Sequence, residues 1–333
     1  MASTSLPLRI VFLDRSTIPP NIRMKDLPFS HGLQVFETTK PEEVLDRIRD
    51  ADIVITNKVK LGGDVIAQAK KLKLIAIAAT GSDNVDTNAC DEAGISVCNV
   101  RNYAVHTVPE HTFALIFALR RSLTAYHAAV QAGRWQESGQ FCFFDYPVKD
   151  LAGSTLGVIG DGALGKATAD IGRALGLRVL FSAFKGRNDM GMLYTPFEKV
   201  LEESDIISLH CPFNEQTRDL IGDAEFAKMK QRPLLINTAR GGLVNERALV
   251  HALKGGLISG AGFDVVTREP LPEDNPLNEI LGHPAFILTP HVAWASEQAI
   301  QTLADQLMDN ITAYVQGKPR NIINAPSSNR MAV

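Results

Sequence analysis

Along the first hundred residues, apolar and polar positions follow two rhythms. Short, nearly unbroken apolar runs at Arg9 to Leu13, Asp52 to Thr56, Leu74 to Ala79 and Ser96 to Val100 have the length and β-branched content of buried strands. Between them, Pro41 to Arg49, Gly63 to Lys70 and Val85 to Ala93 carry amphipathic helical spacing. Strands covered on both faces and joined by helices pack as a parallel sheet. Thr107-Val108-Pro109-Glu110 has the Thr-x-x-Glu spacing of a capping box with proline in the first turn, which predicts a long helix running to about Val130. A fresh alternation of strand and helix begins at Thr155 and continues to Thr289. After Pro290 a single helix is expected, Ser296 to Val315, with Leu303, Leu307, Ile311 and Val315 on one face that needs a partner surface. The economical architecture is α/β with two doubly wound parallel-sheet domains. The first is discontinuous, residues 1–104 plus 296–333, and the second, residues 105–295, is inserted into it.

Composition supports this picture and removes several function classes. The 333 residues exceed what one core usually organises, and 45% hydrophobic with 21% charged residues is the balance of a globular protein. A formal net charge of -3 without a Lys/Arg cluster argues against nucleic acid as a partner. The apolar stretch Phe113 to Leu119 is too short to span a bilayer, and Met1 to Leu8 lacks a basic segment followed by an apolar run, so no membrane partner and a cytoplasmic location are expected. Cys90, Cys98, Cys142 and Cys211 show no metal-ligand spacing and read as reduced, packed thiols; no metal is expected.

The strongest local signal follows Thr155 to Ile159. Gly160-Asp161-Gly162-Ala163-Leu164-Gly165 and the helical run Lys166 to Leu175 complete a G-x-G-x-x-G between a buried strand and a helix. Gly160 permits the tight turn, Gly162 lets a pyrophosphate approach the backbone, and Gly165 lets helix and strand pack closely. A bare glycine pattern also fits a flexible loop; the strand before and helix after favour a Rossmann-like dinucleotide site.

Three residues stand just past expected strand ends: Arg240 after Leu234 to Thr238, Glu269 beyond Asp264 and Val265, and His291 after Phe286 to Thr289. Such positions line the ligand crevice of an open parallel sheet. Reduction of a 2-oxo acid needs a cation to hold the carboxylate and a proton donor for the ketone oxygen. Arg240 suits the first role and His291 the second, with Glu269 favouring the charged imidazole and fixing its orientation. Taken singly, a surface ion pair, a solvated loop carboxylate and a satisfied loop histidine fit these residues as well.

Taken together, the motifs carry a resemblance. Gly160 to Gly165, Ile236-Asn237-Thr238-Ala239-Arg240-Gly241-Gly242, Ala261-Gly262-Phe263-Asp264-Val265 with Glu269-Pro270, and Thr289-Pro290-His291-Val292-Ala293 resemble the D-isomer-specific 2-hydroxyacid dehydrogenases over nearly the whole chain. Ala79 to Asp83, Arg101 to Ala104 with Val108 to His111, and Gln140 to Pro147 look like the bacterial glycerate dehydrogenases, or hydroxypyruvate reductases, of that family. The resemblance implies a flavodoxin-like first domain that binds substrate, with backbone N–H groups of Thr80 and Gly81 holding the carboxylate opposite Arg240. A plain turn at Gly81 is the alternative. It implies an NAD(P)-binding second domain in which Ala163 and Leu164 face the pyrophosphate, Cys211, Pro212 and Thr217 the adenosine side, and Thr238, Ala239 and Asp264 the nicotinamide half. Asp264 could equally cap the next segment. The implied reaction is reduction of hydroxypyruvate, with glyoxylate as a secondary substrate. Another small 2-oxo acid, phosphite, or a nicotinamide-sensing regulator are the rival readings.

Two further expectations concern cofactor and assembly. The end of Arg178 to Ser182 offers Ser182-Ala183 where NAD-specific proteins place an acid, and Lys185 and Arg187 follow, so NADPH is expected to be accepted beside NADH and to be preferred. If Phe184 to Asn188 is only a solvated turn, the site is indifferent instead. Trp135, Phe141, Phe143, Phe144 and Tyr146 point either to a homodimer interface or to an internal cluster, and the family's habit favours the dimer.

Overall fold

The structure, a computed structural model, describes residues 6–187 and 189–325. The outer limits of the expected first domain, 1–5 and 326–333, lie outside the described residues, as does Asn188 of the expected turn. The chain divides into two compact units, Met1–Tyr103 with Ser296–Val333, and Ala104–Ala295. The strands are β1 (Leu8–Phe12), β2 (His31–Val35), β3 (Ile53–Thr56), β4 (Leu74–Ile77), β5 (Ser96–Cys98), β6 (Thr155–Ile159), β7 (Arg178–Ser182), β8 (Tyr194–Thr195), β9 (Ile206–Leu209), β10 (Leu234–Asn237), β11 (Gly260–Phe263) and β12 (Phe286–Leu288). The helices are α1 (Val44–Ile48), α2 (Gly63–Ile66), α3 (Thr87–Ala93), α4 (Thr107–Arg120), α5 (Leu123–Gln131), α6 (Arg134–Ser138), α7 (Ala163–Ala174), α8 (Phe197–Glu203), α9 (Asp223–Phe226), α10 (Glu246–Lys254) and α11 (Glu297–Val315).

In the first unit the strands pair in the order β2-β1-β3-β4-β5, all parallel. This is the flavodoxin-like order. Every residue of β3 and β4 is buried, which is why those strands read as continuous apolar runs. The edge strand β2 lacks that signature, since four of its five positions are exposed, and sequence periodicity missed it. The apolar stripe of α11 finds its surface against β4, burying Leu303, Leu307 and Ile311, while Val315 is half-buried. Each such fully buried side chain contributes about 1.5–3 kcal/mol. Ser296 caps α11 by accepting from the Ala299 N–H. The buried Asn310 side chain donates to the Asn99 carbonyl, and Ile322 bridges Cys98 in an antiparallel sense.

The second unit holds a seven-stranded parallel sheet, β12-β11-β10-β9-β6-β7-β8. The chain starts in the middle at β6, moves outward through β7 and β8, then returns to β9 on the other side. Between β6 and β9 the order reverses, and that is where a doubly wound sheet opens a crevice. Successive residues feed opposite faces: Ile206, Leu234 and Ile236 join Leu156 and Phe113 in one cluster, while Ile207 and Leu235 join Phe197 and Leu249 in the other. The chain therefore consists of two doubly wound parallel-sheet α/β units. The two-residue edge strand β8 is too short to have left a periodic signal.

Two expectations about the segment after Val100 are corrected. Thr107 is the first helical residue and not the cap: it follows His106, and its hydroxyl donates to the Ala293 carbonyl, so no capping box forms. The helix also ends at Arg120. Ser122 adopts a left-handed backbone (φ 48°) and hands its hydroxyl to the Pro147 carbonyl, so α5 starts as a separate helix.

Candidate functional site

The loop after β6 is built for close approach. Gly160 has φ +108°, and a Cβ there would meet the His210 carbonyl at 2.6 Å. A Cβ on Gly165 would strike the Gly160 carbonyl, so only glycine lets α7 sit this near β6. Gly162 differs: it caps α7 with no side-chain hydrogen bond, and a Cβ on it would meet nothing within 4 Å. Ala163 and Leu164 are the first two residues of the twelve-residue α7, whose N-terminus presents amides and a partial positive charge toward that open space. These residues fit a dinucleotide pyrophosphate.

Around β7 and past β9 lie the residues expected to face the adenosine side, several with work of their own. Ser182, the last residue of β7, donates to the Ala183 carbonyl at 2.7 Å, and both are buried. Lys185 pairs with Glu225 at 2.8 Å and Arg187 with Asp189 at 2.6 Å. Burial works against the Glu225 carboxylate, yet Lys185 and the Gly222 N–H outweigh it and hold its pKa below the usual range. The cations on which an NADPH preference rested thus already have acidic partners. Past β9, Cys211 backs onto Gly160, and burial pushes its thiol up to about 11. The Thr217 hydroxyl donates to the Pro212 carbonyl at 2.8 Å and accepts from the Asn214 N–H, closing that turn. His210 accepts or donates at Nε2 with Ser208, its Nδ1 is enclosed without a partner, and burial lowers its pKa to about 4.

Arg240, Glu269 and His291 follow β10, β11 and β12, three consecutive strands of the sheet. His291 Nδ1 and Glu269 Oε2 lie 2.7 Å apart, while Glu269 Oε1 accepts from the Val266 N–H at 3.3 Å. With Nδ1 facing the carboxylate, the imidazole's Nε2 is the nitrogen left to exchange a proton with a ligand. Arg240 follows a turn bracketed by Asn237, whose buried amide accepts from the Ala239 N–H and donates to the Arg240 carbonyl. The guanidinium donates to the Ala239 carbonyl at 2.8 Å. Gly241 packs its backbone onto Val266, where any Cβ would collide, and this ties the arginine's loop to the glutamate's.

Asp264 takes the capping role the sequence left open. It is 1% exposed. Oδ1 accepts from the Thr289 hydroxyl at 2.5 Å and the Val292 N–H at 2.9 Å, and Oδ2 from the Ala293 N–H at 2.8 Å. The clamp holds His291, flanked by two of these donors, in a left-handed backbone conformation (φ 56°). Thr238 shares a hydrogen bond with Thr112 of α4, and His111 of the same helix reaches Thr289. Sequence reasoning gave no role to Asn237, His111 or Thr112. Asn237 could have been found as an amide side chain at a strand end; the helix residues carry no local signal.

In the first unit, Thr80 and Gly81 follow β4. The Thr80 hydroxyl donates to the Val100 carbonyl at 2.7 Å, and the Asn99 side chain donates to the Thr80 carbonyl. The loop after β3 is held from beneath by Asp14, which accepts from the N–H groups of Asn57, Lys58 and Val59. Among the described residues no cluster of ligating side chains could hold a metal ion, and no helix is long and apolar enough to cross a membrane.

Comparison with known proteins agrees with this geometry. Residues 113–293 match the family model described as D-isomer specific 2-hydroxyacid dehydrogenase, NAD binding domain. A glycerate dehydrogenase of Methylorubrum extorquens is 49% identical over 318 residues, 95% of this chain and 99% of the relative. A hydroxypyruvate reductase of Blautia hydrogenotrophica is 35% identical over 95% of this chain and 100% of its own. Among solved structures, a D-lactate dehydrogenase from Aquifex aeolicus, complexed with NAD and lactic acid, superposes with a TM-score of 0.81 at 28% identity, covering 96% of this chain and 100% of that one. The strand order, the glycine cradle and the two matching relatives lead to one conclusion: this chain belongs to the D-isomer-specific 2-hydroxyacid dehydrogenases, with a nicotinamide-dinucleotide-binding second unit.

Proposed function

We propose that the chain reduces hydroxypyruvate to D-glycerate, and glyoxylate to glycolate as a secondary reaction, with NADH or NADPH as reductant. The observation that carries the reading is the 2.7 Å pair between His291 Nδ1 and Glu269 Oε2, at the end of the sheet that also presents Arg240. When bound, the reduced nicotinamide supplies the hydride that C2 of the 2-oxo acid receives. His291 Nε2 delivers a proton to the ketone oxygen, and Glu269 stabilises the imidazolium before that transfer. Arg240 holds the carboxylate and polarises the ketone through a forked guanidinium. Thr80 and Gly81 are further substrate-binding candidates, through their backbone N–H groups. Gly160, Gly162, Ala163, Leu164 and Gly165 hold the pyrophosphate, Ser182, Ala183, Lys185, Arg187, Cys211, Pro212 and Thr217 face the adenosine side, and Thr238, Ala239 and Asp264 the nicotinamide side. Residues 1–104 plus 296–333 act as the substrate-binding domain and residues 105–295 as the NAD(P)-binding domain.

The substrate choice is supported by the names of the two relatives, a glycerate dehydrogenase and a hydroxypyruvate reductase. The test is a panel of 2-oxo acids with each cofactor, followed at the nicotinamide absorbance. Hydroxypyruvate is expected to give the highest kcat/KM, and a higher value with any other 2-oxo acid would replace it as the substrate.

The same reading includes a homodimer working in the cytoplasm. Support for the dimer lies in α6 and the segment after it: Trp135 is about half exposed, and Phe141 and Phe144 are 89% and 87% exposed. Phe143 and Tyr146 instead pack on Tyr126, with ring centroids 5.3 Å apart in each case, and so form an internal base for the outward pair. Exposed aromatic anchors of this kind are typical centres of association. Light scattering is expected to give twice the chain mass, and Phe144→Asp to lower it toward the monomer.

A further inference from the structure

The end of β7 lacks the carboxylate that commonly reads the adenosine ribose. The structure brings one there from another strand. Asp161, between the first two fingerprint glycines, accepts a hydrogen bond from the Tyr194 hydroxyl at 2.5 Å. Asp161 follows β6, Tyr194 lies on β8, and β7 runs between those two strands. The bond therefore crosses β7 beside its end at Ser182. Tyr194 is the register partner of Phe181, so both rings project from the same face of the sheet, the one from which Arg173 of α7 reaches over Phe181. Acceptance by Asp161 raises the Tyr194 phenol above its ordinary pKa.

We propose that the Asp161 carboxylate, oriented by Tyr194, selects the adenosine half of the cofactor: it accepts from the ribose hydroxyls and repels a 2′-phosphate, so that NADH binds more tightly than NADPH. The proposal rests on dinucleotide binding by the second unit and is independent of which 2-oxo acid is reduced. The neighbouring charges point the same way. Lys185 is engaged by Glu225 and Arg187 by Asp189, so the cations that would welcome a 2′-phosphate must first leave an acid. A ribose diol can donate to a carboxylate, whereas a phosphate in its place can only bring like charge to it.

The test measures cofactor affinity by titration calorimetry with no 2-oxo acid present. The wild-type protein is expected to bind NADH roughly tenfold more tightly than NADPH, a difference of one decade in Kd. Asp161→Asn is expected to shrink that ratio about fivefold, chiefly by tightening NADPH. Because repulsion between charges is screened, the wild-type ratio should narrow as salt is raised to about 0.5 M, and the ratio of the Asn variant should stay flatter. Tyr194→Phe should weaken NADH a few-fold, an effect that a purely structural hydrogen bond would not place on the cofactor ratio. Asp161→Ser stands in if the Asn variant does not fold, and 5′-AMP against 2′,5′-ADP repeats the comparison on the wild type alone. Equal or tighter binding of NADPH by the wild type, or an unchanged ratio in a folded Asp161 variant, overturns the proposal. If neither nucleotide binds, dinucleotide binding itself is wrong.

Discussion

The two parallel sheets treat the amides beyond their strand ends in opposite ways. In the first unit Asp14, just after β1, fills the space with its own carboxylate, accepting from three consecutive N–H groups of the loop after β3. In the second unit the turn after β6 is Gly160-Asp161-Gly162, its carboxylate accepting from Tyr194, and Gly162 caps α7 without any side-chain hydrogen bond. One sheet satisfies its anion-binding amides internally, and the other leaves them for a ligand. A doubly wound architecture alone therefore does not make a cofactor site; what decides is whether an internal carboxylate takes up the loop amides, as Asp14 does, or is turned elsewhere, as Asp161 is toward Tyr194.

If the second sheet is the working one, its catalytic end should show the largest effect of substitution. His291→Gln is expected to lower kcat by about 10²–10⁴-fold while the Kd for NADH stays within a factor of about two, since only the proton donor is lost. Steady-state kinetics beside calorimetry checks this, and near-normal turnover would remove His291 from its role. Asp14→Ala should act on stability: three loop N–H groups lose an ionised acceptor, for an expected loss of about 2–4 kcal/mol in urea unfolding, with NADH affinity unaltered. An equal fall in NADH affinity would erase the contrast between the sheets.

A third measurement locates acid sensitivity. The folded-state pKa of His210, about 4, lies below its ordinary value, so the unfolded chain binds the proton more readily than the folded one. Stability should hold above pH 6.5 and fall as the pH drops from there toward 4, by at most about 3 kcal/mol from this residue. His210→Gln should flatten that slope; an identical slope in the variant assigns the acid sensitivity elsewhere. The smallest expected effect is the sharpest test of the open turn. Gly162→Ala meets no neighbour, so stability should shift by no more than about 0.5 kcal/mol. The same methyl should weaken NADH by roughly tenfold, because it stands where the backbone and pyrophosphate approach each other.

The legibility of this molecule in its sequence follows the same division between local and distant causes. Buried strands such as β3 and β4 announce themselves because both faces are apolar, and Gly160 and Gly165 because no other residue fits. The order of Arg240, Glu269 and His291 along the chain was also readable, since each follows its own strand. Edge strands β2 and β8, exposed or very short, left no pattern. The break at Ser122 depends on a hydrogen bond to Pro147, and the Thr107 hydroxyl was drawn away from capping by Ala293. The pairing of Lys185 with Glu225, and of Asp161 with Tyr194, joins residues distant in sequence. In each case the deciding partner lies outside any window that periodicity can inspect.

The discontinuity of the first unit has a consequence for how the protein is made. Its sheet begins at Leu8, but α11 and the segment that bridges Cys98 through Ile322 come last, after the whole of 104–295 has left the ribosome. The usual vectorial order, in which the N-terminal domain folds first, is thus inverted. The nucleotide-binding unit can close while its predecessor still exposes the face of β4. At roughly 5–20 residues per second the missing stretch, 296–333, takes about 2–8 seconds to synthesise. For that interval the first unit's sheet lacks the helix that covers β4, and its apolar face is open to non-native contacts.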